Sequence, residues 1–149
     1  MRTYFAEAAG AAAKFLASME GPRVGALALD GAIAAIETNM GAAWSETVVA
    51  LITEFGRTAR VNGNEGTDHG TATVALLAGG ALKGGRVVAD WPGVSQTALY
   101  ENRDLKATTD LRAVLKGLLR DHLRVDDRAL DAVVFPGSET ARPMAGLVA

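Results

Sequence analysis

Val48-Val-Ala-Leu-Ile52 is an apolar run that passes into Thr53-Glu-Phe-Gly-Arg-Thr58 and then into the glycine-rich Asn62-Gly-Asn-Glu-Gly-Thr-Asp-His-Gly70. An apolar run without polar alternation is what a strand requires when helices cover both faces of its sheet. A glutamate and an arginine just past such a strand, followed by an Asp-His pair on a loop, is how an open α/β sheet presents polar chemistry at a strand's carboxyl end. Thr47 to Thr53 is therefore predicted as a buried strand, and the rest of the chain is fitted around it.

Before it, the alanine-rich stretch Thr3 to Met19, with Tyr4, Phe5, Phe15 and Leu16, predicts a packing helix that Gly21-Pro22 ends. Its stretch Ala6 to Met19 has the look of a signal peptide, but Glu7 and Lys14 interrupt it and the uninterrupted apolar part is too short to span a bilayer, so it reads as a soluble amphipathic helix. Arg23 to Leu29, bounded by Gly21-Pro22 and Asp30-Gly31, suits a short parallel strand. Ala32 to Met40 places Ile33, Ile36 and Met40 on one helical face, with Gly41 as the stop.

After the long polar loop, Thr71 to Ala78 fits helix or strand by pattern, and the Gly79-Gly80 stop favours a buried strand. Arg86 to Asp90 predicts a short strand or edge segment closed by Trp91-Pro92-Gly93. Leu111, Val114, Leu115, Leu118, Leu119 and Leu123 mark an amphipathic helix, with Thr108 or Thr109 as its N-cap. Val125 to Ala132 predicts one short helix, and the tail to Ala149 is expected to pack loosely or against a partner. This alternation predicts an α/β fold: a mainly parallel sheet flanked by helices.

With 149 residues, 49% of them hydrophobic, the chain suits a single domain with one core. Fifteen basic against seventeen acidic residues give a formal charge of −2, which argues against nucleic acid and anionic membrane as partners. The absence of cysteine removes disulfides, thiolate zinc sites and cysteine nucleophiles, and leaves the compartment undetermined.

Four residues carry the candidate chemistry. Asp68 and His69 offer a carboxylate and an imidazole to a divalent metal, or else form a hydrogen-bonded turn in which Asp68 caps backbone. Glu54 suits a metal ligand or a general acid or base, and Arg57 a clamp on carboxylate, phosphate or sulfate; the competing reading pairs the two with each other or has them cap nearby backbone. His122, beside Asp121 on the long helix, is expected to face solvent. Gly79-Gly80-Ala-Leu-Lys83-Gly84-Gly85 lacks the spacing of a phosphate-binding P-loop and reads as a turn. Trp44 and Trp91 read as core or interface anchors, and Arg103-Asp104 and Asp126-Asp127 as solvated charges.

Thr53-Glu-Phe-Gly-Arg-Thr58, Asn62-Gly, Gly66-Thr-Asp-His-Gly70, Gly79-Gly80, Lys83-Gly-Gly85, Asp90-Trp-Pro-Gly93, Arg103-Asp-Leu105, Thr109-Asp-Leu-Arg112 and Phe135-Pro136 occur in an order and spacing that resembles the carboxyl-terminal part of the bacterial domain of unknown function 1501 family. The resemblance runs from about Arg23 to Pro136. That family is similar to the alkaline phosphatase and sulfatase superfamily, so the resemblance implies a partial fold of that kind, with one or two divalent metals at strand ends. Glu54-Phe55-Gly56 stands where many superfamily members carry an Asp-His-Gly metal motif, and His69 near a later metal-binding histidine; Phe55 cannot bind a metal.

The resemblance further implies that this chain is the carboxyl-terminal portion of a longer fold whose serine or threonine nucleophile lies in a preceding region. A Gly-Phe/Trp-Asp-Thr-His segment is also expected after the strand equivalent to Val24 to Leu29, and a gap near Asp30 is inferred because Leu29-Asp-Gly-Ala32 runs straight into the next helix. Relatives are often exported to the periplasm.

Two functions follow. One is the remnant of a metal-dependent phosphate or sulfate ester hydrolase, with Glu54, Asp68 and His69 toward zinc, manganese or calcium and Glu54 and Arg57 as the catalytic candidates; alone, it is expected to be weak or inactive. The other is a non-catalytic binding or assembly domain, in which an exposed sheet edge favours self-association.

Overall fold

The computed structural model describes residues 25–64 and 66–149, so the helix predicted over Thr3 to Met19 lies outside the described residues. The first described element is a helix, α1 (Gly25–Met40). The strand expected at Arg23 to Leu29 is thus overturned over Gly25 to Leu29, where Ala26, Leu27, Ala28 and Leu29 continue the helical run of Ala32, Ala34 and Ala35. Alanine and leucine are the strongest helix formers, and Gly31 inside the helix costs only about 1 kcal/mol relative to alanine. Gly41 takes the left-handed conformation, φ +53°, as expected at a helix stop, and the chain tightens into a 3₁₀ turn over Gly41–Glu46.

The strands are short. β1 (Val49–Leu51) pairs with β4 (Leu76–Ala78), and β2 (Gly56–Arg57) pairs with β3 (His69–Gly70). Both pairings are antiparallel, and no parallel sheet occurs among the described residues, which contradicts the mainly parallel α/β architecture. The apolar run that suggested a strand covered on both faces is exposed at Ala50, and Ile52 past its end is 51% exposed. Arg86 to Asp90, expected as a strand or edge, is irregular.

Two compact units result. In the first, residues 25–49 with 78–81, Gly80 donates its N–H to the Trp44 carbonyl at 3.1 Å and Ala81 to the Thr47 carbonyl at 3.3 Å. A Cβ on Gly79 would stand 2.0 Å from the Thr47 oxygen, so the close approach requires glycine there.

The second unit, residues 50–77 and 82–149, is built on α2 (Leu111–Leu123). The expected helix is present, but Asp110 caps it rather than Thr108 or Thr109: its Oδ1 accepts the Arg112 N–H at 2.8 Å. Arg124 closes the other end in the left-handed region, its N–H donating to the Leu119 carbonyl. The helix predicted at Val125 to Ala132 appears as α3 (Asp127–Ala129), capped by Asp126 and continued as a π turn over Leu130–Val134.

The tail does not pack loosely. Met144 donates its N–H to the Ala113 carbonyl at 2.8 Å, Lys83 donates to the Leu147 carbonyl at 2.9 Å, and Ala141 and Leu147 are buried. Contact this close depends on Gly117, where a Cβ would meet the Met144 oxygen at 2.0 Å. Lys116, wholly buried, donates from Nζ to Asp131 Oδ1 at 2.5 Å and to the Ser138 carbonyl at 2.7 Å, tying α2 to the π turn and the tail. Among the described residues no helix is long and apolar enough to cross a membrane.

Candidate functional site

Residues 56–59 form the middle of a narrow ladder in the second unit. On one side, Arg57 donates its N–H to the Ala72 carbonyl at 2.8 Å and Thr58 to the Asp68 carbonyl at 3.1 Å. On the other, Ala59 donates to the Arg103 carbonyl at 3.0 Å and Leu105 to the Arg57 carbonyl at 3.1 Å. Gly56 lies opposite Gly70 and Arg57 opposite His69. Both glycines are needed: a Cβ on Gly56 would come within 2.3 Å of the Gly70 oxygen, and one on Gly70 within 2.5 Å of the Arg57 carbonyl carbon.

This register sorts the candidate residues. Directly opposed residues project to the same face of an antiparallel pair, so Arg57 and His69 share one. Phe55 reaches that face too, its ring edge-on to the His69 imidazole with centroids 4.6 Å apart and planes at 67°. The residue noted as unable to bind a metal thus packs against the imidazole offered as a ligand.

Glu54 instead lines a groove to which Arg57, Asp68 and His69 do not contribute. Asp68 Oδ1 accepts the Asn62 side-chain N–H at 2.8 Å. The turn itself is capped by Asn62, whose Oδ1 accepts the N–H groups of Asn64 and Gly66 at 3.0 and 3.1 Å. Arg57 Nη1 donates to the Thr67 carbonyl at 3.4 Å, and among the described residues no ion pair joins it to Glu54. No group of three or more His, Cys, Asp or Glu placed to hold a metal occurs among the described residues. His122 is half-buried on α2.

The sequence reading missed Asp104. Expected with Arg103 as solvated charge, Asp104 is 4% exposed while the Arg103 side chain is 65% exposed. Its carboxylate accepts Arg103 Nε at 2.6 Å and the Thr71 hydroxyl at 2.8 Å. A tight turn at Glu101 and Asn102, φ 51° and 57°, returns the chain so that the Asp104 N–H donates to the Tyr100 carbonyl at 3.0 Å. Asn102, at home in the left-handed region, was the available sequence signal.

The hydrogen bond from Arg103, then that from Thr71, hold the Asp104 carboxyl below the usual aspartate range. A carboxylate depressed on folding contributes stability that is present above the ordinary aspartate pKa and is lost as pH falls through the folded value. Asp104→Asn is therefore expected to lower the urea midpoint at neutral pH, with the gap from the parent chain closing as pH falls below the aspartate range. A gap that stays constant with pH contradicts this assignment.

The groove that Glu54 lines is mostly apolar. It encloses about 650 Å³ within the second unit, between residues 71–77, the irregular segment 83–92, residues 105–109 and the start of α2. Val74, Leu76, Val87, Val88 and Trp91 line it and are 46% to 92% exposed, with Glu54, Lys83, Arg86, Asp90 and Lys106 among them.

A family model described as "Protein of unknown function (DUF1501)" matches residues 19–134. No curated protein and no solved structure matches the chain.

Proposed function

Because the chain belongs to the DUF1501 family, whose description assigns no function, we propose that it acts as a binding and assembly domain, with the groove along residues 83–92 as its contact surface. The observation that carries this reading is the concentration of exposed large apolar side chains there, above all Val87 at 92% and Trp91 at 64% exposed. Contiguous apolar surface of this kind, set among charged residues, is typical of surfaces that receive a partner.

In a Trp44→Phe chain, Trp91 is the one remaining tryptophan and reports directly from the groove. Anilinonaphthalene sulfonate, an apolar fluorescent probe, is expected to bind dilute protein and quench Trp91 emission, and Val88→Asp to abolish that quenching. Emission unaffected by the dye rejects the groove as a binding surface.

The second reading, a remnant phosphate or sulfate ester site, is favoured by one arrangement: Arg57 and His69 stand opposite each other on an exposed face, offering guanidinium and imidazole donors to an oxyanion. Zinc, manganese or calcium beside it would draw on the carboxylates and imidazole of Glu54, Asp68 and His69.

A further inference from the structure

The segment Arg86-Val-Val-Ala-Asp90 carries two adjacent strand-favouring valines at its centre, yet none of residues 84–94 makes a backbone–backbone hydrogen bond among the described residues. Val87 is 92% and Val88 56% exposed. Gly85 and Gly93, both at positive φ, and Pro92 bound the segment and limit any pairing to its few central residues. An unpaired stretch of this kind is a template for another strand.

The sequence specifies which strand. Laid antiparallel against a copy of itself about Val88, the segment sets Arg86 opposite Asp90 of the second copy, Val87 opposite Ala89 and Val88 opposite Val88, and the two-fold repeats each pair. Both charge pairs are then of opposite sign, the favourable arrangement for directly opposed residues. Shifting the register by two residues places Arg86 opposite Val88 and leaves Asp90 without its arginine. Self-complementarity about one residue is what an isologous two-fold interface demands. Arg86 also donates from Nη2 to the Gly146 carbonyl, which retains further guanidinium N–H groups for the aspartate.

We propose that the occupant of this edge is a second copy of the chain, and that residues 86–90 form the antiparallel two-fold strand pair of a homodimer centred on Val88. This deepens the assembly reading and rests on it. Sedimentation of the full chain is expected to show a mass about double 15.4 kDa that falls to the monomer on dilution. Arg86→Asp opposes two aspartates and is expected to give monomer, while Arg86→Asp with Asp90→Arg restores the dimer.

Because the chain has no cysteine, position 88 is open to a clean cross-linking test. Val88→Cys would place its two copies about 4.5 to 5.5 Å apart between Cα atoms, within disulfide reach. Under mild oxidation it is expected to cross-link at least about tenfold faster than Val61→Cys, because pairing raises the effective concentration. A parent chain that stays monomeric at all concentrations, equal cross-linking at the two positions, or a failed charge swap overturns the proposal. A monomer that still binds the fluorescent probe rejects the dimer alone; a monomer that does not bind it rejects the assembly reading as well.

Discussion

Lys116→Ala is expected to destabilise the second unit by about 2 to 5 kcal/mol, the range for truncating a long, fully buried side chain to alanine. The Lys116 side chain is 0% exposed and supplies donors to both Asp131 and the carbonyl of buried Ser138. Its removal leaves a cavity on α2 and takes one of two donors from the Ser138 carbonyl, which keeps the Ala141 N–H. Lys116→Met keeps most of the volume and separates the two contributions. It is expected to cost less, because Asp131 is 37% exposed and can be rehydrated and the Ser138 carbonyl keeps the Ala141 N–H at 2.9 Å, but still to shift the urea midpoint downward since both hydrogen bonds of the ammonium are lost. A methionine variant as stable as the parent removes the ammonium from the account of what holds the tail.

Gly56→Ala is the second large effect expected. The added Cβ meets main-chain atoms, 2.3 Å from the Gly70 oxygen and 2.4 Å from the Thr71 carbonyl carbon, so no side-chain rotation relieves the overlap. A loss of about 3 kcal/mol, at the upper end for overpacking, is expected. Faster hydrogen exchange should appear at the Arg57 and Thr58 amides, which bond Ala72 and Asp68. Gly63, with nothing within 4 Å of its virtual Cβ, supplies the control: Gly63→Ala should leave both stability and exchange unchanged. Equal behaviour of the two variants contradicts the ladder as the organiser of Arg57 and His69.

The same residues show what the sequence could convey. α2 was legible because Leu111, Val114, Leu115, Leu118 and Leu119 repeat at helical spacing against a charged face, a local signal. Its cap was displaced by two residues or fewer, since Thr108, Thr109 and Asp110 are all capping types and only geometry selects Asp110. Gly25 to Leu29 was misread because a short apolar run has no decisive period, and alanine content prevailed over the flanking glycines. The parallel sheet failed for a non-local reason. Val48 to Ile52 has the composition of a strand covered on both faces, but the pairing that fixes sheet type lies with Leu76–Ala78, a long loop away.

The candidate site was legible as a place more than as a constellation. Thr53 to Gly70 does form a tight strand-and-loop unit, yet the alternation of faces puts Arg57 and His69 together and leaves Glu54 on the groove. Strand parity depends on register, which residue spacing alone did not supply across the Asn62 turn. Asp104 was hidden because its hydrogen-bond partner Thr71 lies some thirty residues earlier in the chain.

The most direct test of the binding reading against the catalytic one is turnover of p-nitrophenyl phosphate and p-nitrophenyl sulfate by the full chain, with and without zinc, manganese or calcium. Rates at the buffer background, unchanged by His69→Ala, are the result expected of a binding and assembly domain. Metal-dependent hydrolysis that His69→Ala abolishes would contradict it.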